Sequence, residues 1–246
     1  MEQPKNYNQE FAEVYDELMS KTKYEQWKLL LQKIIKKYNI SKGNVLDIAC
    51  GTGEISKALL ELGFEKVFGL DKSRYMLDIA RKKLNNNRFT ILEKDMIDIG
   101  QFNQYDLIVS FYDSINYLLE PAQVARFLEG IEKALKPGGF AIFDMNTKEH
   151  VKISQKNPEK IFPIKDGIAR FKSEGEGNIW KLNIEIKKEN QNFREIHLER
   201  GYSSEEIESM IKKTNLLLLE LISEDKVYWD KKKYLSRQYY ILQKHL

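Results

Sequence analysis

The chain has 246 residues, 42% hydrophobic and 31% charged, a balance that fits one globular domain and excludes a disordered or collagenous chain. Its 40 basic residues are offset by 37 acidic ones, leaving a net charge of +3, so no strong field draws in a polyanion and nucleic acid is not an expected partner. The only cysteine, Cys50, can form no intramolecular disulfide, the first twenty residues hold no apolar block of signal-peptide length, and no segment reaches the ~20 apolar residues of a bilayer span. The expected setting is therefore cytoplasmic, with no membrane partner.

In chain order, a short helix is expected over residues 8 to 19. Trp27, Leu30, Leu31, Ile34, Ile35 and Tyr38 then recur at helical spacing, so residues 24 to 38 read as an amphipathic helix. Strand 44 to 49, helix 54 to 61, strand 66 to 70, helix 74 to 85 and strand 89 to 93 form a βαβαβ half. Strand 105 to 110, helix 121 to 135 and strand 140 to 145 continue it, which implies parallel strands with helices on both faces. Pro137-Gly138-Gly139 marks the turn before that last strand. Beyond Thr147 the pattern changes: Trp180, Leu182, Ile184 and Ile186 alternate with Lys181, Asn183, Glu185 and Lys187, the signature of a half-buried strand. Residues 193 to 200 read as its hairpin partner across a polar turn, and 168 to 174 as another strand. Ser203 and Glu206 form a capping box for a further helix, and strands near 216 to 222 and 237 to 243 complete the sheet.

The expected fold is thus a single Rossmann-like, doubly wound α/β domain over residues 1 to 246, with a mostly parallel seven-stranded sheet and an antiparallel β insertion. N-terminal helices occupy 1 to 39, the core 40 to 147 and 203 to 246, and the insertion 148 to 202. That insertion is long enough to cover the carboxyl ends of the strands, where open α/β sheets bind ligands.

The sharpest local feature is Val45-Leu46-Asp47-Ile48-Ala49-Cys50-Gly51-Thr52-Gly53, an apolar strand that ends in a loop of small residues and feeds a helix. Glycines 51 and 53 let backbone N–H groups approach a ligand, and a helix N-terminus favours a negative group. Asp71 ends the second strand 18 residues after Gly53, where a carboxylate can accept hydrogen bonds from both hydroxyls of a ribose. Facing an open cleft, it would matter little to stability. Asp95 and Met96 follow the third strand and can hold the amino edge and the face of adenine. Asp47, inside the loop signature, can attract the ammonium of an amino-acid moiety.

With these residues in place the chain resembles the class I methyltransferases. Their first motif, an acidic residue followed by alternating glycines, is matched by Asp47 to Gly53 with Ala49 in place of the first glycine. The resemblance extends to Tyr105-Asp106-Leu107-Ile108-Val109 as the fourth strand and to Lys136-Pro137-Gly138-Gly139 before the fifth. It implies S-adenosyl-L-methionine as cofactor, bound by Asp47, Ala49, Cys50, Gly51, Gly53, Asp71, Asp95 and Met96, with Lys72, Met76 and Phe111 beside them. It also implies a sixth strand and an antiparallel seventh. Phe11-Ala12-Glu13-Val14-Tyr15-Asp16 resembles a segment of related members in which a helix closes over the cofactor, which brings Tyr15 into the expected site.

The implied reaction is direct methyl transfer to an acceptor, for which a small molecule is expected; no sequence feature specifies an oligomeric state. Alignment of the reactants can supply much of the catalysis, so no general base is required. Tyr112, Asp113 and His150 are candidates for substrate positioning or proton removal. Histidines 150, 197 and 245 lack ligand spacing, so no metal is expected. After the fourth strand stands Phe111-Tyr112-Asp113-Ser114 rather than the Asn-Pro-Pro-Tyr type motif of methyltransferases acting on nucleic-acid amines. Two readings compete: a non-catalytic S-adenosylmethionine sensor, and a nicotinamide-dependent oxidoreductase, for which Ser56 can complete Gly51-x-Gly53-x-x-Ser56 while Tyr24-x-x-x-Lys28 and Tyr228-x-x-x-Lys232 echo a catalytic pair.

Overall fold

The computed structural model describes residues 7–19, 24–101, 105–157, 159–189, 191–223 and 237–246. Tyr228, Trp229 and Lys232 lie outside the described residues. Among those described, no helix is long and apolar enough to cross a membrane.

Two helices, α1 (Gln9–Leu18) and α2 (Tyr24–Lys37), precede the alternating run of β1 (Asn44–Ile48), α3 (Glu54–Glu61), β2 (Lys66–Asp71), α4 (Arg74–Leu84) and β3 (Phe89–Glu93). A 3₁₀ turn, Met96–Gln101, leads to β4 (Tyr105–Ser110), and a second, Ser114–Tyr117, to α5 (Pro121–Ala134) and β5 (Leu135–Asn146). Next come α6 (Lys148–Ser154), β6 (Lys160–Ile164), β7 (Gly167–Glu176), β8 (Ile179–Lys188), β9 (Gln191–Arg200) and α7 (Ser204–Ile211), and β10 (Leu216–Ser223) and β11 (Arg237–Lys244) end the chain.

Seven strands form one sheet in the order β10-β11-β5-β4-β1-β2-β3. Strands β1 to β5 pair in parallel, while β11 runs antiparallel to both β5 and β10. Successive side chains serve opposite faces. Leu46 and Ile108 join a core with Val124, Phe127 and Leu128 of α5, whereas Val45, Leu107 and Val109 pack with Leu31 and Ile34 of α2 and Leu59 of α3. Helix α2 therefore belongs to the layer beneath the sheet. Helix α1 instead packs against Met76 of α4 and the second sheet, through Phe11, Ala12 and Val14.

That second sheet is antiparallel, in the order β6-β7-β8-β9. Residues 148–202 contain two elements the sequence pattern does not signal, β6 and α6. In β6 every residue but Ile164 is exposed, and Pro163, which donates no backbone hydrogen bond, is tolerated because the strand is an edge. Helix α6 is held by the Thr147 hydroxyl, which accepts the His150 N–H at 3.1 Å. A third difference concerns β5, which begins at Leu135 rather than at 140. The Pro137-Gly138-Gly139 turn is an irregularity within the strand: Tyr105 pairs with Leu135 and Leu107 with Phe140, with Gly138 at φ 73°.

Candidate active site

The carboxyl ends of the central strands open onto a cleft of about 890 Å³, counted to its open mouth, within the range of small-molecule sites. The glycine loop forms one wall. Ala49, Gly51 and Gly53 all hold left-handed backbone, with φ of 55°, 54° and 85°. A Cβ added to Gly51 would meet nothing within 4 Å, so the main chain there is open to a ligand. At Gly53 it would come within 3.0 Å of Leu84 and 3.2 Å of Ala80; that glycine lets α3 pack closely on α4.

Two aspartates brace the loop. Asp71 Oδ2 accepts the Gly51 N–H at 2.9 Å and Oδ1 the Ser73 N–H at 2.8 Å. Burial raises its carboxyl above the ordinary value, and those amides with nearby Lys72 oppose the rise. Asp47 is 1% exposed and accepts the Ser56 hydroxyl at 2.6 Å. Burial pushes its carboxyl up to about 7, against the Ser56 hydrogen bond and helped by the charge of Asp71. Ser56 is thereby committed within α3, and Lys28 pairs with Glu61, so neither serves a nicotinamide fingerprint. The Cys50 thiol, also on the cleft, is held neutral by burial.

Of the residues expected from sequence, Tyr15, Asp47, Ala49, Cys50, Gly51, Asp71, Lys72, Met76, Met96, Phe111 and Tyr112 line this one cleft. Gly53, Asp95, Asp113 and His150 are not among its lining. Asp95 is exposed and accepts the Ile97 N–H at 3.1 Å, capping the 3₁₀ turn. His150 sits on α6 with its ring edge-to-face against Trp180, centroids 6.4 Å apart. Asp113 lies behind the cleft in a buried ion cluster: it accepts Arg237 Nη2 at 2.8 Å and Asn146 Nδ2 at 2.8 Å, while Arg237 Nη1 binds Asp144. Burial pushes Asp144 up to about 6 in spite of that guanidinium. Tyr112 and Asp113 both have positive φ, 65° and 51°; the turn is secured by the Asp113 N–H donating to Asp144 Oδ1 at 3.0 Å.

Thr52 of the glycine loop also lines the cleft, and other lining residues are brought in by tertiary structure alone: Tyr7, Tyr24, Trp27 and Tyr117. Trp27 is fixed by its Nε1–H, which donates to the Tyr239 hydroxyl at 3.0 Å. Asp16 ties α1 to the loop, accepting the Thr52 hydroxyl at 2.6 Å and pairing with Lys83 at 2.6 Å. The Ser73 hydroxyl donates to the Tyr7 carbonyl at 2.8 Å.

The inner face of β9 is polar. Glu195, His197 and Glu199 are all buried, whereas Ile196 between them is exposed. Glu195 accepts the N–H groups of Tyr7 and Asn8 at 2.8 and 2.7 Å. The Tyr117 hydroxyl lies 2.9 Å from His197 Nδ1 and 2.8 Å from the Tyr7 hydroxyl. A signal for this existed in the sequence. Pairing Lys188 with Gln191 across the tight turn sets His197 opposite Leu182 and Glu195 opposite Ile184, on the apolar face of the alternating strand.

Comparison with known proteins agrees with this geometry. A family profile described as a methyltransferase domain matches residues 45–139. The putative methyltransferase YqeM of Bacillus subtilis (strain 168) is 34% identical over 214 residues, covering 83% of this chain and 84% of YqeM. An S-adenosylmethionine-dependent methyltransferase from Clostridium acetobutylicum ATCC 824 superposes with a TM-score of 0.83 at 23% identity, covering 96% of this chain and 98% of its own. The sugar N-methyltransferase KedS8 from Streptoalloteichus sp ATCC 53650 superposes with a TM-score of 0.79 at 17% identity, covering 100% of this chain and 98% of its own. With the braced glycine loop, the sheet order and a relative spanning most of both chains in agreement, the protein belongs to the class I S-adenosylmethionine-dependent methyltransferases.

Proposed function

We propose that the protein methylates a small molecule held at the aromatic end of the cleft, and that it does so in the cytoplasm. The observation that carries this reading is the continuity of the cleft, which runs from the Gly51 backbone and Asp71 to the rings of Tyr7, Trp27, Tyr112 and Tyr117. The chain's residues fit the cofactor. Each Asp71 oxygen already accepts one amide and keeps a second lone pair for a ribose hydroxyl. Asp47 would face the ammonium, the open backbone at Gly51 would receive the amino-acid end, and Met96 with neighbouring Asp95 would serve adenine. Bound there, the cofactor supplies a methyl group already activated by its sulfonium.

What remains for the chain is to orient the acceptor and exclude water, and alignment alone can supply roughly 7 to 11 kcal/mol of barrier lowering. Tyr15, Tyr24, Trp27 and Tyr112 line the cleft, and aromatic rings suit a cationic centre. Helix α1 and residues 148–202 form the cover, with the second sheet as a substrate lid. Like KedS8, which acts on a sugar, the protein would take a compact acceptor. Isothermal titration with S-adenosylmethionine, with and without a chelator, and with a nicotinamide dinucleotide tests the cofactor assignment; tight, chelator-insensitive binding of the first is expected. Radiolabelled methyl groups should then enter the small-molecule fraction of an extract. Label confined to macromolecules would reject the acceptor class.

A further inference from the structure

We propose that Tyr117, His197 and Glu195 form a proton relay that removes the proton from a protic acceptor, an amine or a hydroxyl. The inference rests on the small-molecule reading above and deepens it. An apolar residue would fill the inner face of β9 more cheaply than a buried charge, since the cross-strand neighbours of His197 and Glu195 are Leu182 and Ile184. The strand instead turns its polar groups to residues beside the cleft: Glu195 to the Tyr7 and Asn8 amides and His197 to the Tyr117 hydroxyl. Tyr117 lines that cleft, and its position is fixed because Asn116, one residue earlier, donates to the carbonyls of Asn146 and Arg200 at 2.9 and 2.7 Å. From Tyr117 the path continues over 2.9 Å to His197 Nδ1. On the far side, His197 Nε2 lies 3.1 Å from Glu195 Oε2, a close approach without hydrogen-bond alignment, since Nε2 has no hydrogen-bond partner among the described residues. Such an arrangement stabilises a proton arriving on the imidazole.

The step balances. The acceptor's lone pair forms the new bond to the methyl carbon, and the carbon–sulfur bond breaks with its electron pair staying on sulfur. The acceptor's proton passes to the Tyr117 oxygen as the hydroxyl proton of Tyr117 passes to His197 Nδ1, giving an imidazolium beside Glu195. Burial keeps the phenol of Tyr117 from ionising, so it conducts a proton rather than storing one. The titratable groups around Tyr117 and His197 are Glu195 and Glu199 on β9, Tyr7 and Tyr15 from the N-terminal segment, and Asp113 behind Tyr117. Tyr117 is thus the residue that touches the acceptor, and His197 and Glu195 act through it.

With only three histidines in the chain, nitrogen-15 spectra of the labelled protein can follow His197 directly. The relay requires the neutral tautomer with hydrogen on Nε2 and Nδ1 accepting, and Tyr117→Phe should erase the hydrogen-bond signature at Nδ1. Hydrogen on Nδ1 in the wild type, or a spectrum indifferent to Tyr117→Phe, overturns the proposal. Methyl transfer to benzylamine and to phenol is the second readout. Tyr117→Phe and His197→Gln should each lower the rate by ~100-fold, and, with S-adenosylmethionine kept saturating at every pH so that cofactor binding does not shape the profile, His197→Gln should abolish the acid limb of the rate–pH profile on phenol, a limb no packing role would produce. Benzylamine and phenol responding separately would distinguish the two acceptor types. Circular dichroism and titration with S-adenosylmethionine establish that each variant is folded and loaded. Loaded variants with wild-type rates sink the relay alone, whereas a folded wild type that binds no S-adenosylmethionine sinks the underlying reading.

Discussion

Asp71 and Gly51, twenty positions apart, are joined by a hydrogen bond of 2.9 Å from the loop amide to Oδ2, so the side chain at the end of β2 sets the conformation of the loop at the end of β1. The same carboxylate's other oxygen takes the Ser73 amide at the start of α4. One side chain thus holds together the two strand ends that shape the cleft.

Asp71→Ala is therefore expected to act twice. Losing its hydrogen bonds to the ribose should weaken S-adenosylmethionine by ~3 kcal/mol, about 100-fold. Contrary to the open-cleft expectation, the apo protein should also lose ~2 kcal/mol because two amides lose their acceptor, which lowers the melting temperature by about 4–8 °C in a domain of this size. Asp71→Asn keeps one good acceptor and should lie between. Titration and apo melting curves of both variants check this, and an unchanged melting temperature for the alanine variant would reject the bracing role.

Asp47 makes stability depend on pH in a direction opposite to that of a salt-bridged carboxylate. Its folded value of about 7 exceeds the ordinary 3.8, so the folded state keeps a proton that the unfolded chain has released. The contribution is fully present below about pH 4 and is lost as pH rises through about 7. Asp144, at about 6, adds to the same trend. The apo melting temperature should fall from pH 5 to pH 8, and Asp47→Asn should flatten that slope. Because a ligand ammonium favours the charged carboxylate, cofactor affinity should drop by up to about tenfold per pH unit below 7 in the wild type and not in Asp47→Asn. Parallel slopes for the two proteins would contradict the assignment.

The main sheet was legible because its information is local. Apolar strand residues such as Val45, Leu46 and Ile48 and the run Leu107 to Val109 fill both layers, and glycines mark the loop between β1 and α3. Tertiary partners account for what was not legible. Asp113 reads as a cleft residue until Arg237, 124 positions later, draws it into a buried cluster. His150, expected after the fifth strand as a positioning or proton-removing residue, packs on Trp180, whereas His197 reaches a cleft residue, and only the hairpin register reveals that. Strand β6 hides because Pro163 and its exposure erase the alternation by which strands are recognised.

The clasp at Asp16 links α1 to the glycine loop through Thr52 and to α4 through Lys83. Its side chain is 43% exposed, and exposed ion pairs contribute at most about 1 kcal/mol, so Asp16→Ala should leave the fold intact. The expected change lies in closure: cofactor release several-fold faster by stopped-flow fluorescence of Trp27, and earlier proteolytic cutting of the N-terminal segment. Release at the wild-type rate would show that α1 is held by its apolar face alone.

Ala49 stands where the related motif carries a glycine, and its φ of 55° imposes on a methyl-bearing residue a conformation that costs about 1–2 kcal/mol. Ala49→Gly relieves that strain but gives the unfolded chain more freedom, an entropic loss of about 0.4–1 kcal/mol. The balance favours glycine by ~0.5–1 kcal/mol, so the apo melting temperature should rise by about 1–4 °C with cofactor affinity unchanged. Ala49→Val separates strain from packing. A branched side chain fits left-handed backbone worse than alanine does, and because Ala49 lines the cleft the added bulk intrudes on the ligand; both the melting temperature and the affinity should fall. Were the methyl group of Ala49 mainly a packing contact, glycine would lower the melting temperature instead, so the sign of that one shift decides whether the alanine is tolerated strain or a structural contribution.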